Sequence, residues 1–200
     1  MTIETETAAA DPRARILDAA LDAFAAVGFE GASLRRIAED AGVTHQLVVY
    51  HFKTKDALWR AAIRELLEVA RGPREPVDGV EPGEAVRLWV RGFVRFTARH
   101  PQFHRITTIE GQADTPRFRW LLDTYVRPAF ERSVETIGRA QAAGQARAGD
   151  PARLHYAAIG LVTTNLVYAL EYQAITGVDP FQREEIDRVE ALACEFLGLP

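Results

Sequence analysis

The amino-acid sequence predicts an all-α protein, and three observations carry that expectation. Apolar residues recur at intervals of three and four along most of the chain, and no segment alternates with the period of a strand. Asp, Ser or Thr caps and Gly or Pro stops bracket the apolar runs. The length of 200 residues suits one domain or two small ones, and 48% apolar with 26% charged residues describes a globular chain rather than a disordered one. No uninterrupted apolar run approaches the length that crosses a bilayer, so no membrane partner is expected. The leading MTIETETAAA has neither the basic start nor the apolar core of a secretory signal. One cysteine, Cys194, cannot make an internal disulfide, so a reducing cytoplasm is the expected location.

Residues 1–10 are expected to be a disordered tail. Asp11 and Pro12 open the first helix, whose apolar face is Ile16, Leu17, Ala20, Leu21, Phe24 and Ala25, and Gly28 stops it. Ser33 caps a short second helix with Leu34, Ile37, Ala38 and Ala41 on one face, ended by Gly42. Thr44 caps a third through Leu47, Val48 and Phe52, and a fourth runs from about Lys55 to Arg71. The stretch GPREPVDGVEPG, Gly72 to Gly83, is too dense in breakers for a helix and reads as a linker. Helices then follow over Glu84–Arg99 and Pro101–Glu110. A long segment over Pro116–Ala143 should kink or end at Pro128. Asp150-Pro151 opens a continuous apolar helix to about Thr176, and Phe181–Leu197 is the last.

The string SLRRIAEDAGVTHQLVVYHF has the layout of a helix-turn-helix: a capped short helix, a glycine turn and a second capped helix. Val43, packed with Ile37, Ala38 and Leu47 or Val48, would fix the angle between the two. Such a unit presents the first residues of its second helix to base edges in a major groove. Here these are His45, Gln46 and Leu47, of which Gln46 can pair bidentately with adenine and Leu47 can meet a thymine methyl. Ser33, Arg35, Arg36, Thr44, Tyr50, His51, Lys53 and Lys55 are of the types that bind phosphate oxygens. A plain three-helix core with a glycine in its turn is the bland alternative. The exposed run Thr44-His45-Gln46 weighs against it, as does the fall of the chain's two lysines just past the third helix. The net charge is -4, so any nucleic-acid contact must come from a small patch.

Residues 12–59, and FAAVGFEGASLRRIAEDAGVTHQLVVYHFKTKDALW above all, resemble the DNA-binding domain of the tetracycline-repressor (TetR-type) family of transcriptional regulators. The matching landmarks include Phe24, Gly28, Phe29, Ser33, Ile37, Ala41, Gly42, Val43, Tyr50, Phe52, Lys55 and Leu58. Val49 departs from the pattern, standing where the family commonly has a phosphate-binding tyrosine. The resemblance implies a DNA-binding domain over 11–58 and an effector-binding and dimerisation domain over 59–200. It also implies a homodimer on a pseudo-palindromic double-stranded operator, released by a small, partly apolar effector.

The expected dimer contact uses the last two helices, 154–173 and 182–197. Leu154, Ala158, Leu161, Val162, Leu166, Ala169 and Leu170 cover more of the first than one monomer face requires, and Ile186, Val189, Leu192, Ala193, Phe196 and Leu197 line the second. Candidate effector contacts are Trp89, Phe93, Phe96, Phe103, Trp120 and Tyr125, with His104, Thr107, Asn165 and Tyr168 as polar groups. No metal or cofactor is expected. His100 and His104 have helical metal-pair spacing, but Pro101 should separate them, and GxSxG, GxGxxG and P-loop patterns are absent. A helical enzyme or an interaction module remains the alternative reading.

Overall fold

Asp11 opens the first helix by accepting from the Arg13 N–H at 3.1 Å, with Pro12 in the first turn where its missing donor is harmless. The computed structural model describes residues 11–70 and 79–199, which form helices and turns with no strand among them. The chain divides into two compact units, residues 1–72 and 73–200. The expected tail over 1–10, Arg71 and most of the expected linker lie outside the described residues.

In the N-terminal unit α1 (Pro12–Gly31), α2 (Leu34–Asp40), α3 (His45–Phe52) and α4 (Lys55–Ala70) enclose one core. Ile16, Leu17, Phe24, Ile37, Val48, Leu58, Trp59 and Ile63 are each at most 1% exposed. Burying side chains of this size stabilises the unit by about 1.5–3 kcal/mol apiece before entropy is counted. Trp59, Ala62, Ile63 and Leu66 of α4 complete this core, so the packing unit runs past the expected division at residue 58. Gly28 takes φ 68° and kinks α1 instead of ending it, and Phe29 beyond the kink stacks on Phe24 at 5.9 Å.

The C-terminal unit comprises α5 (Pro82–Arg99), α6 (Pro101–Glu110), α7 (Pro116–Leu121), a π-turn (Leu122–Val126), α8 (Arg127–Ala142), α9 (Pro151–Val167), α10 (Ala169–Thr176) and α11 (Arg183–Phe196). Its core joins Val86, Val90 and Val94 of α5 to Ile137 and Ala140 of α8, Leu154, Ala158 and Val162 of α9, and Val189 and Ala193 of α11. Pro128 is accommodated by widening the helix ahead of it. Arg127 N–H bonds back to the Leu122 carbonyl, five residues earlier, so the chain enters α8 through the π-turn without a break. The helix expected to run unbroken to Thr176 breaks at Tyr168, with φ -97° and ψ 33°. Thr164 donates its hydroxyl to the Gly160 carbonyl at 2.6 Å in the turn before, a bond that bends helices.

Candidate nucleic-acid interface

The sharp reversal between α2 and α3 rests on Gly42, at φ 64°, a backbone state that a Cβ disfavours. The Gly42 N–H then reaches the Glu39 carbonyl at 3.0 Å and the Val43 N–H the Ala38 carbonyl at 2.9 Å, satisfying the end of α2. Thr44 caps α3 by accepting from the Leu47 N–H at 3.3 Å. Ser33 occupies the cap position of α2, but its hydroxyl makes no capping bond there. Ile37 and Ala38 of α2 and Val48 and Phe52 of α3 are buried, so the opposite face of α3 points outward.

That outward face carries most of the expected readers. His45, Gln46, Tyr50 and His51 are exposed, Leu47 is half-buried, and Tyr50 reaches 70% exposure with His51 edge-on to it at 5.4 Å. Val49 is 37% exposed, on the surface where a tyrosine would have reached further. Arg35 is exposed on α2. Its neighbour Arg36 is drawn into ion pairs with Asp40 at 3.0 Å and Glu39 at 3.9 Å, which weakens its pull on phosphate. Lys55 has a second occupation: its ammonium donates to the Ala32 carbonyl at 3.1 Å and the Glu30 carbonyl at 3.4 Å, 4.5 Å from the centre of the Phe29 ring. It thereby ties the start of α4 to the end of α1.

Lys53 is the residue the sequence singled out without a geometric reason. Among the described residues it is the one non-glycine at positive φ, with φ 62° and ψ -48°. The Thr54 N–H folds back onto the Phe52 carbonyl at 2.6 Å, closing a γ-turn of the strained hand around Lys53. Such a backbone costs about 1–3 kcal/mol in a residue with a side chain. Thr54 immediately caps α4, accepting from the Ala57 N–H at 3.1 Å. One residue therefore makes the whole connection from α3 to the cap of α4. The Lys53 ammonium lies 5.3 Å from the Tyr50 ring centre on the exposed face.

In the C-terminal unit the structure gathers some candidate effector residues and separates others. Phe93, Phe96 and Phe103 surround the buried His104, with ring centres 5.4, 6.2 and 5.4 Å away. Thr97 donates its hydroxyl to the Phe93 carbonyl at 2.8 Å, so it can only accept from His104 Nε2, 3.0 Å away. His104 is thus the Nε2–H tautomer, and burial lowers its pKa to about 4. Thr107 spends its hydroxyl on the His104 carbonyl at 3.0 Å. His100 lies at the junction of α5 and α6, and no group of three metal-ligating side chains assembles among the described residues.

A second pair of the same construction escaped sequence reasoning. Ser133 on α8 donates to the Phe130 carbonyl at 2.8 Å and accepts from His155 Nδ1 on α9 at 2.6 Å. His155 is buried against Trp89 at 5.7 Å and Phe130 at 5.1 Å, and burial lowers its pKa as well. The available signal was a histidine in the otherwise apolar run of α9. Trp120 and Tyr125 pair with each other at 5.5 Å across the π-turn. Asn165 is half-buried, and Tyr168 is 60% exposed at the α9–α10 break.

The expected dimer stripe also divides. Leu154, Ala158, Val162, Leu166, Val189, Ala193 and Leu197 are consumed by the chain's own core, whereas Leu170 and Leu192 are 86 and 52% exposed; Tyr156 and Ile175, outside the expected stripe, are also exposed. Apolar side chains on α9, α10 and α11 thus remain exposed.

Comparison with known proteins agrees with this geometry. Residues 16–62 match the family model described as bacterial regulatory proteins, tetR family, and residues 82–197 match that of the tetracyclin repressor-like C-terminal domain. The HTH-type transcriptional regulator RutR of Escherichia coli (strain K12) is 26% identical over 185 residues, covering 90% of this chain and 87% of RutR. The HTH-type transcriptional repressor SCO4008 of Streptomyces coelicolor is 31% identical over 109 residues, 52% of this chain and 53% of the repressor. The crystal structure of AibR in complex with isovaleryl coenzyme A and operator DNA superposes with a TM-score of 0.74 at 18% identity, covering 95% of this chain and all of AibR. The TetR family regulator PfmR from Thermus thermophilus superposes at 0.69 and 17% identity, covering 92 and 98% of the two chains.

Proposed function

Because the chain belongs to the tetR family of bacterial regulatory proteins, it is a helix-turn-helix transcriptional regulator, and we propose that it represses by binding a pseudo-palindromic operator as a homodimer. The observation that carries this reading is the outward face of α3: His45 and Gln46 are exposed beside Tyr50, His51 and Lys53, while Val48 and Phe52 lock the helix from behind. Gln46 is the proposed reader of an adenine, and the hydroxyl-bearing and basic residues around it position the protein on phosphates. Two such heads on a two-fold dimer suit half-sites about one helical turn apart. The exposed apolar surface of α9, α10 and α11 supports that dimer, which buries Leu170 and Leu192.

An effector acts through the C-terminal unit. AibR was solved with both isovaleryl coenzyme A and operator DNA, which supports a ligand-responsive mechanism for this chain as well. The aromatic shells of His104 and His155 are where a partly apolar ligand would be recognised. In these tautomers, His104 Nδ1 and His155 Nε2 remain acceptors, so the effector is expected to offer hydrogen-bond donors. The function is tested by gel shift against the DNA upstream of the protein's own gene across a salt series. Binding should weaken tenfold or more between about 50 and 200 mM salt, as a phosphate-dominated site requires. A chain that ignores that DNA, or a duplex recovered from a random library, would favour the enzyme or interaction-module reading.

A further inference from the structure

We propose that Lys53 is a strained positioning residue, kept out of its preferred backbone conformation because DNA binding needs a cation at the single-residue joint between α3 and α4. The inference rests on the reading of α3 as the DNA-contacting helix. Phe52 is anchored in the core at 7% exposure, and Thr54 is committed to capping α4. The chain must therefore reverse at position 53, and it does so through a γ-turn at φ 62°. Glycine would make that turn without steric conflict. The other positive-φ positions described are all glycines, Gly28 and Gly42 of this unit among them. A lysine here adds nothing to the core, since its side chain is exposed.

What the lysine adds is charge at a defined place. Its ammonium rests 5.3 Å from the ring centre of Tyr50, one turn earlier on α3, so the cation and a phenol hydroxyl share the exposed face. Two other candidate cations are engaged within the protein: Arg36 pairs with Asp40 and Glu39, and Lys55 bonds to the carbonyls of Ala32 and Glu30. Lys53, like Arg35 on α2, has no carbonyl or carboxylate partner among the described residues, and a phosphate oxygen is the chemistry it fits.

The assignment makes stability and DNA affinity move in opposite directions. The test compares Lys53→Gly, Lys53→Ala and Lys53→Arg in the full-length protein, measuring melting temperature and binding to a duplex selected from random sequence by the unaltered protein. Lys53→Gly should melt roughly 2–4 °C higher yet bind more weakly, with the slope of log affinity against log salt reduced by about one per subunit. Lys53→Ala should lose the same affinity and slope without the gain in melting temperature, and Lys53→Arg should retain both affinity and slope. Unchanged affinity and slope in Lys53→Gly, or no rise in its melting temperature, would overturn the proposal. A glycine variant that binds far worse than the alanine variant would assign the effect to rigidity of the turn and overturn the role of the charge. If the unaltered protein showed no salt-dependent duplex binding, the DNA-contacting reading of α3 would itself fail.

Discussion

Lys55 and Gln46 lie on the same small domain, and single-residue chemistry separates their roles. Lys55 holds the kinked end of α1 against the start of α4 through two charge-assisted hydrogen bonds and the face of Phe29. Lys55→Met keeps the aliphatic stem but removes all three interactions, and should destabilise the protein by about 1–2 kcal/mol given its partial exposure. Urea unfolding checks this, and an unchanged midpoint would return Lys55 to a purely phosphate-binding role. Gln46 is exposed and supports no neighbour, so Gln46→Ala should leave stability alone. It should cost about 1–3 kcal/mol per half-site and relax the preference at one base pair. Binding-site selection with the variant decides it, since an unaltered consensus would mean that α3 reads DNA through other residues.

At the scale of elements, two devices set geometry. The α2–α3 reversal depends on Gly42 at φ 64°. A Cβ there would meet only the tip of the Arg15 side chain, at 3.4 Å, so the penalty of Gly42→Ala is conformational rather than steric crowding. Forcing a side chain into this backbone state costs about 1–2 kcal/mol. The variant should melt lower and lose DNA affinity at temperatures where the free protein is still folded, which circular dichroism and gel shift together will show. The second device is the pair of histidine–hydroxyl contacts joining α5 to α6 and α8 to α9. Burial lowers the pKa of both rings, to about 4 for His104, below the ordinary value near 6.5. The unfolded chain therefore binds protons that the folded chain refuses. The histidine contribution is intact above about pH 6.5 and is lost as pH falls towards 4, by roughly 3 kcal/mol for His104. Urea midpoints measured across that window should fall with pH, and His104→Leu should flatten the slope.

For the whole molecule, the question is what covers the apolar surface left on the last helices. Leu170 and Leu192 contribute little to the monomer core at 86 and 52% exposure. Replacing both by glutamate should leave helix content unchanged while separating the proposed dimer, because an unpaired carboxylate inside an interface costs about 3–5 kcal/mol. Sedimentation velocity will detect the loss of dimer. Operator affinity should fall with it, since a lone head engages one half-site. A double variant that stays dimeric would move the interface elsewhere.

The sequence by itself determined the all-α class, the caps at Asp11 and Thr44, the glycine turn at Gly42 and the exposed run Thr44-His45-Gln46 at the start of α3. All of these are set by residues a few positions apart, whose hydrogen bonds and backbone preferences act locally. Tertiary structure decided what depends on distant partners. The apolar surplus on the final helices was legible, but composition could not divide it between core and surface: Leu154 and Val162 went inward because α5 and α8 meet them, and Leu170 stayed out. His155 became a buried, hydrogen-bonded ring only because α8 brings Ser133 to within 2.6 Å. Pro128 reads as a kink or an end, and the packed helix absorbs it by widening one turn. The two lysines drew notice together as a pair of charges. The fold separated them, since Lys55 meets carbonyls at the end of α1 and just past it, 25 and 23 residues away, while the one-residue joint leaves Lys53 strained and facing solvent.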